Sequence, residues 1–547
     1  MVGKKPKIQT QIGGKVGVNP IFLLAVIVIL SLTIRLYYFP TDIPITLDGI
    51  DYFSYAVKTS QLGDFPNVIV PNNGWPSFVS LFFSLYSSEN FLDYMNLQKM
   101  VSVIFSVMTT ILVYFLCTRF FDKYYALLGS ILFAFEPRLI FNSLGGLTDP
   151  VYIFTITLAL FLYLSKNSKC VILSFAIIGL STIFRYESFL LIIPFSIIFF
   201  VRFRKESKFL LKYFAGISIF LIIILSWSYL QYENTGTFST LAAIYDGSSF
   251  VSYFVIQDNP GDLPRPITEN VDIASFISKS IELFIRYLAT INIPYFFFFV
   301  PFGVIIAARN YFLKKNNIQK KSMILFLLTL IIPAVYAYGR DFQDPRYLFV
   351  LFPIFSILSI PLIIKINQKI KNKKLFCVIF LICIIFASII FLEFEKTNNE
   401  IELGLFKIAT YLADHDVKGV NSYQGIKYVR VANMQEEWPN ISTTYVQNAL
   451  GQWNHVWGNV SLNIQIIPVS NFESLIDFIK ISRDESLSHL VVYDSNRDGK
   501  FLNDVFTNEN NYPYLIKEFD SLESGYENRV KIFRIDYVMF DNIIKEE

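Results

Sequence analysis

Acidic and guanidinium side chains collect in four short stretches of this chain. Residues 40–97 hold Asp42, Asp48, Asp51 and Asp64, and Arg138 precedes the run GGLTDP, which contains Asp149. Arg185 and Glu187 lie in IFRYES, and Asp341, Asp344 and Arg346 lie in GRDFQDPRY. Arg35 stands near the end of the first apolar segment. A carboxylate can take a proton from a hydroxyl or ligate a hard cation, and a guanidinium forks onto phosphate oxygens. Each residue alone also reads as a helix cap or a snorkelling side chain. Taken together they suit a substrate with an anionic head.

What must position these groups follows from composition. Of 547 residues 53% are hydrophobic, 17% aromatic and only 17% charged, against about 25% charged in soluble proteins. With a mean hydropathy of +0.46, a soluble enzyme, a disordered chain and a fibrous one are excluded. Three His exclude histidine-built metal sites, and Cys117, Cys170, Cys377 and Cys383 lie in or beside apolar segments, where they read as small buried hydrophobes. The pattern is that of a polytopic α-helical membrane protein.

A span needs about 20 apolar residues. Eleven are expected, near 20–39, 98–118, 124–141, 148–165, 170–184, 187–203, 209–230, 284–309, 321–338, 346–366 and 375–394. The N-terminal segment carries Lys4, Lys5, Lys7 and Lys15 and lacks a small-residue cleavage site, so it reads as an uncleaved helix. With a cytoplasmic N-terminus every inward loop is basic, as in RFRKESK and KINQKIKNKK. The acidic clusters then fall on the outer side at one membrane depth, in a cell membrane. The apolar stretch 75–86 in the first outer loop, 40–97, is expected to be an interfacial helix.

Charge divides the chain in two. Residues 395–547 carry 14 Lys and Arg against 23 Asp and Glu, a net of −9, and residues 1–394 carry 33 against 21, a net of +12. We expect a multi-span catalytic domain over 1–394 and an extracytoplasmic α/β domain over 395–547. In the latter, helical pieces at 401–415 and 472–482 accompany strands near 426–434, 462–470, 489–495, 514–521 and 529–537. Sequons at Asn440 and Asn459 agree with an outer location. His455 and His489 read as structural.

The run LDGIDYFSYAVKTSQLGDF resembles the first-loop signature of the GT-C membrane glycosyltransferases: an Asp followed by Glu or Gly, a Tyr three residues on and an Ala four beyond, here Asp48, Gly49, Tyr52 and Ala56. LTDPVYIFTITLALFLYL is similar to the family's "T-E-P" helix start, IFRYESFLLIIP to its "T-R-P-E" turn and DPRYLFVLFPIFSIL to its late "R-Y-L" helix. The C-terminal block is similar to the outer domain of many archaeal members, and the whole resembles protein O-mannosyltransferases and aminoarabinose transferase-like proteins.

The resemblance implies a GT-C fold and inverting transfer of a sugar from a polyprenyl- or dolichyl-phosphate, sometimes a diphosphate, to a protein, lipid or glycan acceptor, with no nucleic-acid partner. It makes Asp48 the general base, Arg346 and Arg185 the donor-phosphate ligands, and Asp51, Tyr52, Glu187 and Arg138 supporting residues. In some relatives a divalent metal is held by the residues matching Asp48 and Asp149, which implies Mg²⁺ or Mn²⁺ here. Gly49 stands where protein O-mannosyltransferases have Glu, Asp149 replaces the commoner Glu, and Tyr186 replaces Pro. No W-W-D-x-G motif occurs, which argues against an oligosaccharyltransferase. The segment 231–283 could form a lid or an inert connector. A lipid-sugar transporter or flippase, and a membrane-anchored surface-binding protein, are the competing readings.

Overall fold

The computed structural model describes residues 19–46, 48–66, 72–236, 273–308, 318–370, 373–415, 417–438, 464–469, 472–494, 500–525 and 529–546. The N-terminal lysines, both sequons, His455 and most of the 231–283 segment lie outside the described residues.

In hydrocarbon every backbone polar group must be bonded within its own segment, so the apolar runs become helices. They are α1 Pro20–Tyr37, α2 Asp48–Leu62, α3 Gly74–Phe83, α4 Phe91–Cys117, α5 Lys123–Ala134, α6 Pro137–Ser143, α7 Asp149–Tyr163, α8 Ser168–Phe184, α9 Ile192–Phe203 and α10 Phe209–Thr235. After residue 272 come α11 Ile273–Ile291, α12 Phe296–Ala307, α13 Ile318–Gly339, α14 Phe352–Lys369 and α15 Lys373–Asp414. 3₁₀ turns at Tyr186–Leu191 and Pro345–Leu351 lead into α9 and α14. The chain is a multi-pass membrane protein.

All eleven expected segments are helical, but not all are straight spans. Among the described residues seven helices are long and apolar enough to cross, and nine are if each bent pair, α5/α6 and α11/α12, counts as one. The pairs turn by 56° and 108°, with Pro137 opening α6 and Pro294 lying between α11 and α12. α7 and α8 have 15 and 17 residues, about 22–26 Å at 1.5 Å each, short of about 30 Å of hydrocarbon.

Arg35 plays a part in this bend that its sequence position does not reveal. It is fully buried and donates to Ser31 O, Ser31 Oγ, Ser106 Oγ and Ala134 O, at 2.5–3.1 Å. The last of these is a carbonyl at the end of α5, where the helix breaks. It therefore seals the bend and is not part of the acidic clusters.

Of the stretch 75–86 the residues up to Phe83 are helical, as α3, which packs inward with Trp75, Val79 and Phe83 buried. A Cβ on Gly74 would come within 2.6 Å of the Ile183 carbonyl. That close approach seats α3 on the end of α8.

The C-terminal region carries a mixed sheet of β1 Gly419–Asn421, β2 Gln465–Ile467, β3 His489–Tyr493, β4 Leu515–Asp520 and β5 Val530–Ile535, in the order β2-β1-β3-β5-β4. β1 is parallel to β2 and β3, whereas β3, β5 and β4 are antiparallel. Helices α16 Val429–Glu437, α17 Leu475–Ser482, α18 Lys500–Thr507 and α19 Tyr537–Glu546 accompany it. The expected strand near 426–434 is instead a 3₁₀ turn and α16. Its apolar residues Tyr428, Val429, Val431, Ala432 and Met434 are all buried in a cluster that includes Phe53, Trp75 and Phe83 of α2 and α3. That contact decides in favour of a helix over the local alternation. His489 bonds Ser488 Oγ at 2.8 Å and Glu518 Oε2 at 3.2 Å, and burial holds its pKa below the usual value.

The sheet has two buried faces. Val491, Val530 and Ile532 join the cluster shared with α2, α3 and the end of α15. Leu490, Val492 and Phe533 join a cluster built within the C-terminal region alone. α15 runs unbroken through residue 394 to Asp414, joining bundle and sheet region in one rod.

Candidate active site

Asp48 opens α2 and Asp149 opens α7, so both carboxylates sit where the helix dipole favours negative charge. The 3₁₀ turn at Pro345–Leu351 brings Arg346 between them. Its Nη2 lies 2.8 Å from Asp48 Oδ2, and its Nη1 lies 4.0 Å from Asp149 Oδ2. Asp344 caps that turn, accepting from the Arg346 amide at 2.8 Å and from Nε at 2.7 Å. Arg185, between α8 and its following 3₁₀ turn, donates to Asp149 Oδ1 at 2.5 Å and to Glu187 Oε1 at 3.0 Å.

The cluster grades from buried to open. The Asp149 side chain is 3% exposed and that of Arg185 13%, against 31% for Arg346 and 46% for Asp48. The guanidinium of Arg185 lies over Tyr152 and Tyr347, 5.3 and 5.5 Å from their ring centroids. Asp48 is the most exposed carboxylate of the cluster, ahead of Asp344 at 29%. Tyr52 lies one turn along α2. Burial, and then the charge of Asp48, push its pKa up, so its hydroxyl stays protonated.

The structure thus brings together Asp48, Tyr52, Asp149, Arg185, Glu187 and Arg346. It places two supporting candidates elsewhere. Asp51 is 3% exposed and pairs with Arg430 of α16 at 2.7 Å. Arg138 donates to the Ile293 carbonyl and lies 4.8 Å from the Phe391 ring centroid, where it ties α6 to the α11/α12 link and to α15.

Other residues that hold the site escape sequence reasoning. Trp75 Nε1 and Gln98 Nε2 both donate to Gly146 O, at 3.0 and 2.8 Å. Gly146 has φ +66°, a left-handed conformation that suits glycine. This clamp fixes the loop that delivers Asp149. Asn142 Nδ2 donates to Asp149 Oδ2 at 3.3 Å. Lys99, 2% exposed, donates to the Pro40 and Ile43 carbonyls at 2.6 and 2.8 Å and so pins the chain leading to Asp48. A lone amide or lysine inside an apolar run carries no motif by which it could be found.

Gly49 has a steric reason. An added Cβ would lie 2.1 Å from Ile45 Cγ2 and 3.3 Å from Gly145 O, so the Glu found here in protein O-mannosyltransferases has no room without a shift of Ile45.

Residues 79–229 match the family model described as dolichyl-phosphate-mannose-protein mannosyltransferase. No curated protein matches the chain in sequence. Among solved structures, the Archaeoglobus fulgidus oligosaccharyltransferase in complex with Zn and sulfate superposes with a TM-score of 0.52 at 12% identity, over 93% of this chain and 73% of that one. ArnT from Cupriavidus metallidurans bound to undecaprenyl phosphate superposes with a TM-score of 0.51 at 10% identity, over 93% and 97%. The chain has the fold of the GT-C membrane glycosyltransferases.

Proposed function

We propose that this protein transfers a sugar from a polyprenyl- or dolichyl-phosphate carrier to an acceptor at the membrane surface, with inversion. One observation carries the reading: the Asp48–Arg346–Asp149–Arg185 cluster, in which a half-exposed carboxylate stands beside two convergent guanidiniums. The family match over 79–229 and the undecaprenyl phosphate held by the similar ArnT support the choice of donor.

In this mechanism Asp48 takes the proton of an acceptor hydroxyl while its oxygen forms a bond to the anomeric carbon. The bond from that carbon to the phosphate oxygen breaks, and its electron pair leaves with the lipid phosphate. Arg346, with Arg185 behind it, stabilises the charge that develops there. Tyr52 supplies a further protonated donor. Residues 1–394 are the catalytic unit, 395–547 the extracytoplasmic one, and the N-terminus is cytoplasmic.

The similar oligosaccharyltransferase was crystallised with Zn, and Mg²⁺ or Mn²⁺ shared by Asp48 and Asp149 is the corresponding reading here. The residues present do not fit it. The guanidinium of Arg346 lies between those two carboxylates, and among the described residues no three metal-ligating side chains converge. The cation this donor set accommodates is an arginine, and no step above passes through a metal.

The test is incorporation of radiolabelled sugar from a panel of dolichyl- and polyprenyl-phosphate sugars into lipid and protein fractions, comparing wild type with Asp48→Asn. Incorporation that falls at least 100-fold in folded Asp48→Asn is expected. Full activity in the variant would overturn the mechanism. Wild-type protein that moves the lipid across a bilayer without transfer would overturn the reaction class.

A further inference from the structure

Asp48 is the first residue of α2, and three positions on lies Asp51, almost fully buried and paired at 2.7 Å with Arg430. Arg430 belongs to α16, 379 residues away in sequence. The Arg430 side chain is 14% exposed. A charge pair this dry holds two elements in one relative position, because separating it takes from two largely buried charges each other's compensation.

Apolar contacts surround the pair. Ser54 Oγ lies 3.9 Å from Met434 Sδ, and the ring of Trp438 lies 6.5 Å from that of Phe53 and 5.3 Å from that of Tyr94. Apart from the bond between Asp48 and Arg346, the rest of the first turn of α2 is held by weaker contacts. Gln98 Nε2 reaches Gly49 O at 3.4 Å, and Gly49 packs on Ile45. Two ion pairs hold this turn, Asp48–Arg346 at 2.8 Å and Asp51–Arg430 at 2.7 Å, and it is the second that ties it to the C-terminal region.

We infer that Arg430 is a positioning residue for the reaction: by holding Asp51 it fixes the start of α2, and with it the angle at which Asp48 meets the acceptor and Arg346. The C-terminal region is thereby part of the catalytic apparatus without touching the reacting atoms. This rests on the transfer reading above.

The experiment uses the full chain in nanodiscs and compares Arg430→Ala, Arg430→Lys, Asp51→Asn and the swap Asp51→Arg/Arg430→Asp. Two quantities are read for each: steady-state transfer per folded molecule, and hydrogen exchange of peptides covering residues 48–58. Arg430→Ala is expected to lower kcat at least 10-fold with KM for the lipid donor within twofold of wild type, and to speed exchange at the start of α2. Arg430→Lys and the swap should each recover part of both.

Folded Arg430→Ala with wild-type kcat overturns the proposal. If that variant does not fold, the nearly isosteric Asp51→Asn decides in its place, and unchanged kcat there overturns it equally. Loss of kcat and a rise in donor KM by the same factor, with exchange unchanged, also overturns it. Wild-type protein without transfer activity would sink the transfer reading, and the exchange data alone would then judge whether Arg430 holds α2.

Discussion

Asp149 is the most heavily committed side chain of the site, shared by Arg185, Arg346 and Asn142 and only 3% exposed. Removing one partner of such a buried set leaves the others with uncompensated charge, at a cost of about 3–5 kcal/mol. Asp149→Asn should therefore lower the melting temperature as well as transfer, whereas Asp48→Asn, at a half-exposed position, should lower transfer with little change in melting. Thermal unfolding and transfer measured on both variants separate the two roles, and equal melting losses would count against this division. Arg346 bonds Asp48 and Asp344 through different nitrogens, which the single ammonium of lysine cannot reproduce. Arg346→Lys should accordingly cost at least tenfold in kcat/KM although the charge is retained. The residues that carry charge at the site were legible from sequence, because acids and arginines stand out in an apolar chain. Their partners were not: nothing near Asp51 points to Arg430, and Arg138 looks like a site residue only until the fold places it against Ile293 and Phe391.

At the scale of elements, helix positions follow from composition, whereas breaks and seats follow from contacts made far away. The α11/α12 pair reads as one span at 284–309, yet it turns by 108°, and α16 reads as a strand until α2 and α3 supply the surface that makes it a helix. Gln98 is a case with chemical consequences. Its amide and the indole of Trp75 share the Gly146 carbonyl, and that loop ends at Asp149. Gln98→Leu keeps the volume and removes one of the two donors, so the loop should lose definition at a net cost of about 1 kcal/mol. We expect transfer to fall about 10-fold, consistent with slight misplacement of a catalytic array, while Trp75→Phe gives a similar loss and the double variant less than the product of the two. Independent, multiplicative effects would show that the two side chains do not act on one loop.

For the molecule as a whole, the sheet of the C-terminal region makes a discriminating test possible. Val491 and Val492 are adjacent in β3, both fully buried, and face opposite cores. Val491 packs in the cluster that contains Ile50, Phe53 and Val57 of α2, whereas the cluster of Val492 is confined to residues 467–540. Truncating either to Ala removes the same two methyl groups and should cost about 1–3 kcal/mol. If the C-terminal region were only a cover, both variants would transfer sugar equally well per folded molecule. Because the Val491 face is continuous with the helix that begins at Asp48, we expect Val491→Ala to lower kcat several-fold and Val492→Ala to leave it within twofold of wild type, at matched losses of melting temperature. The reverse order, or equal effects, would mean that the shared core does not transmit the position of the sheet to α2.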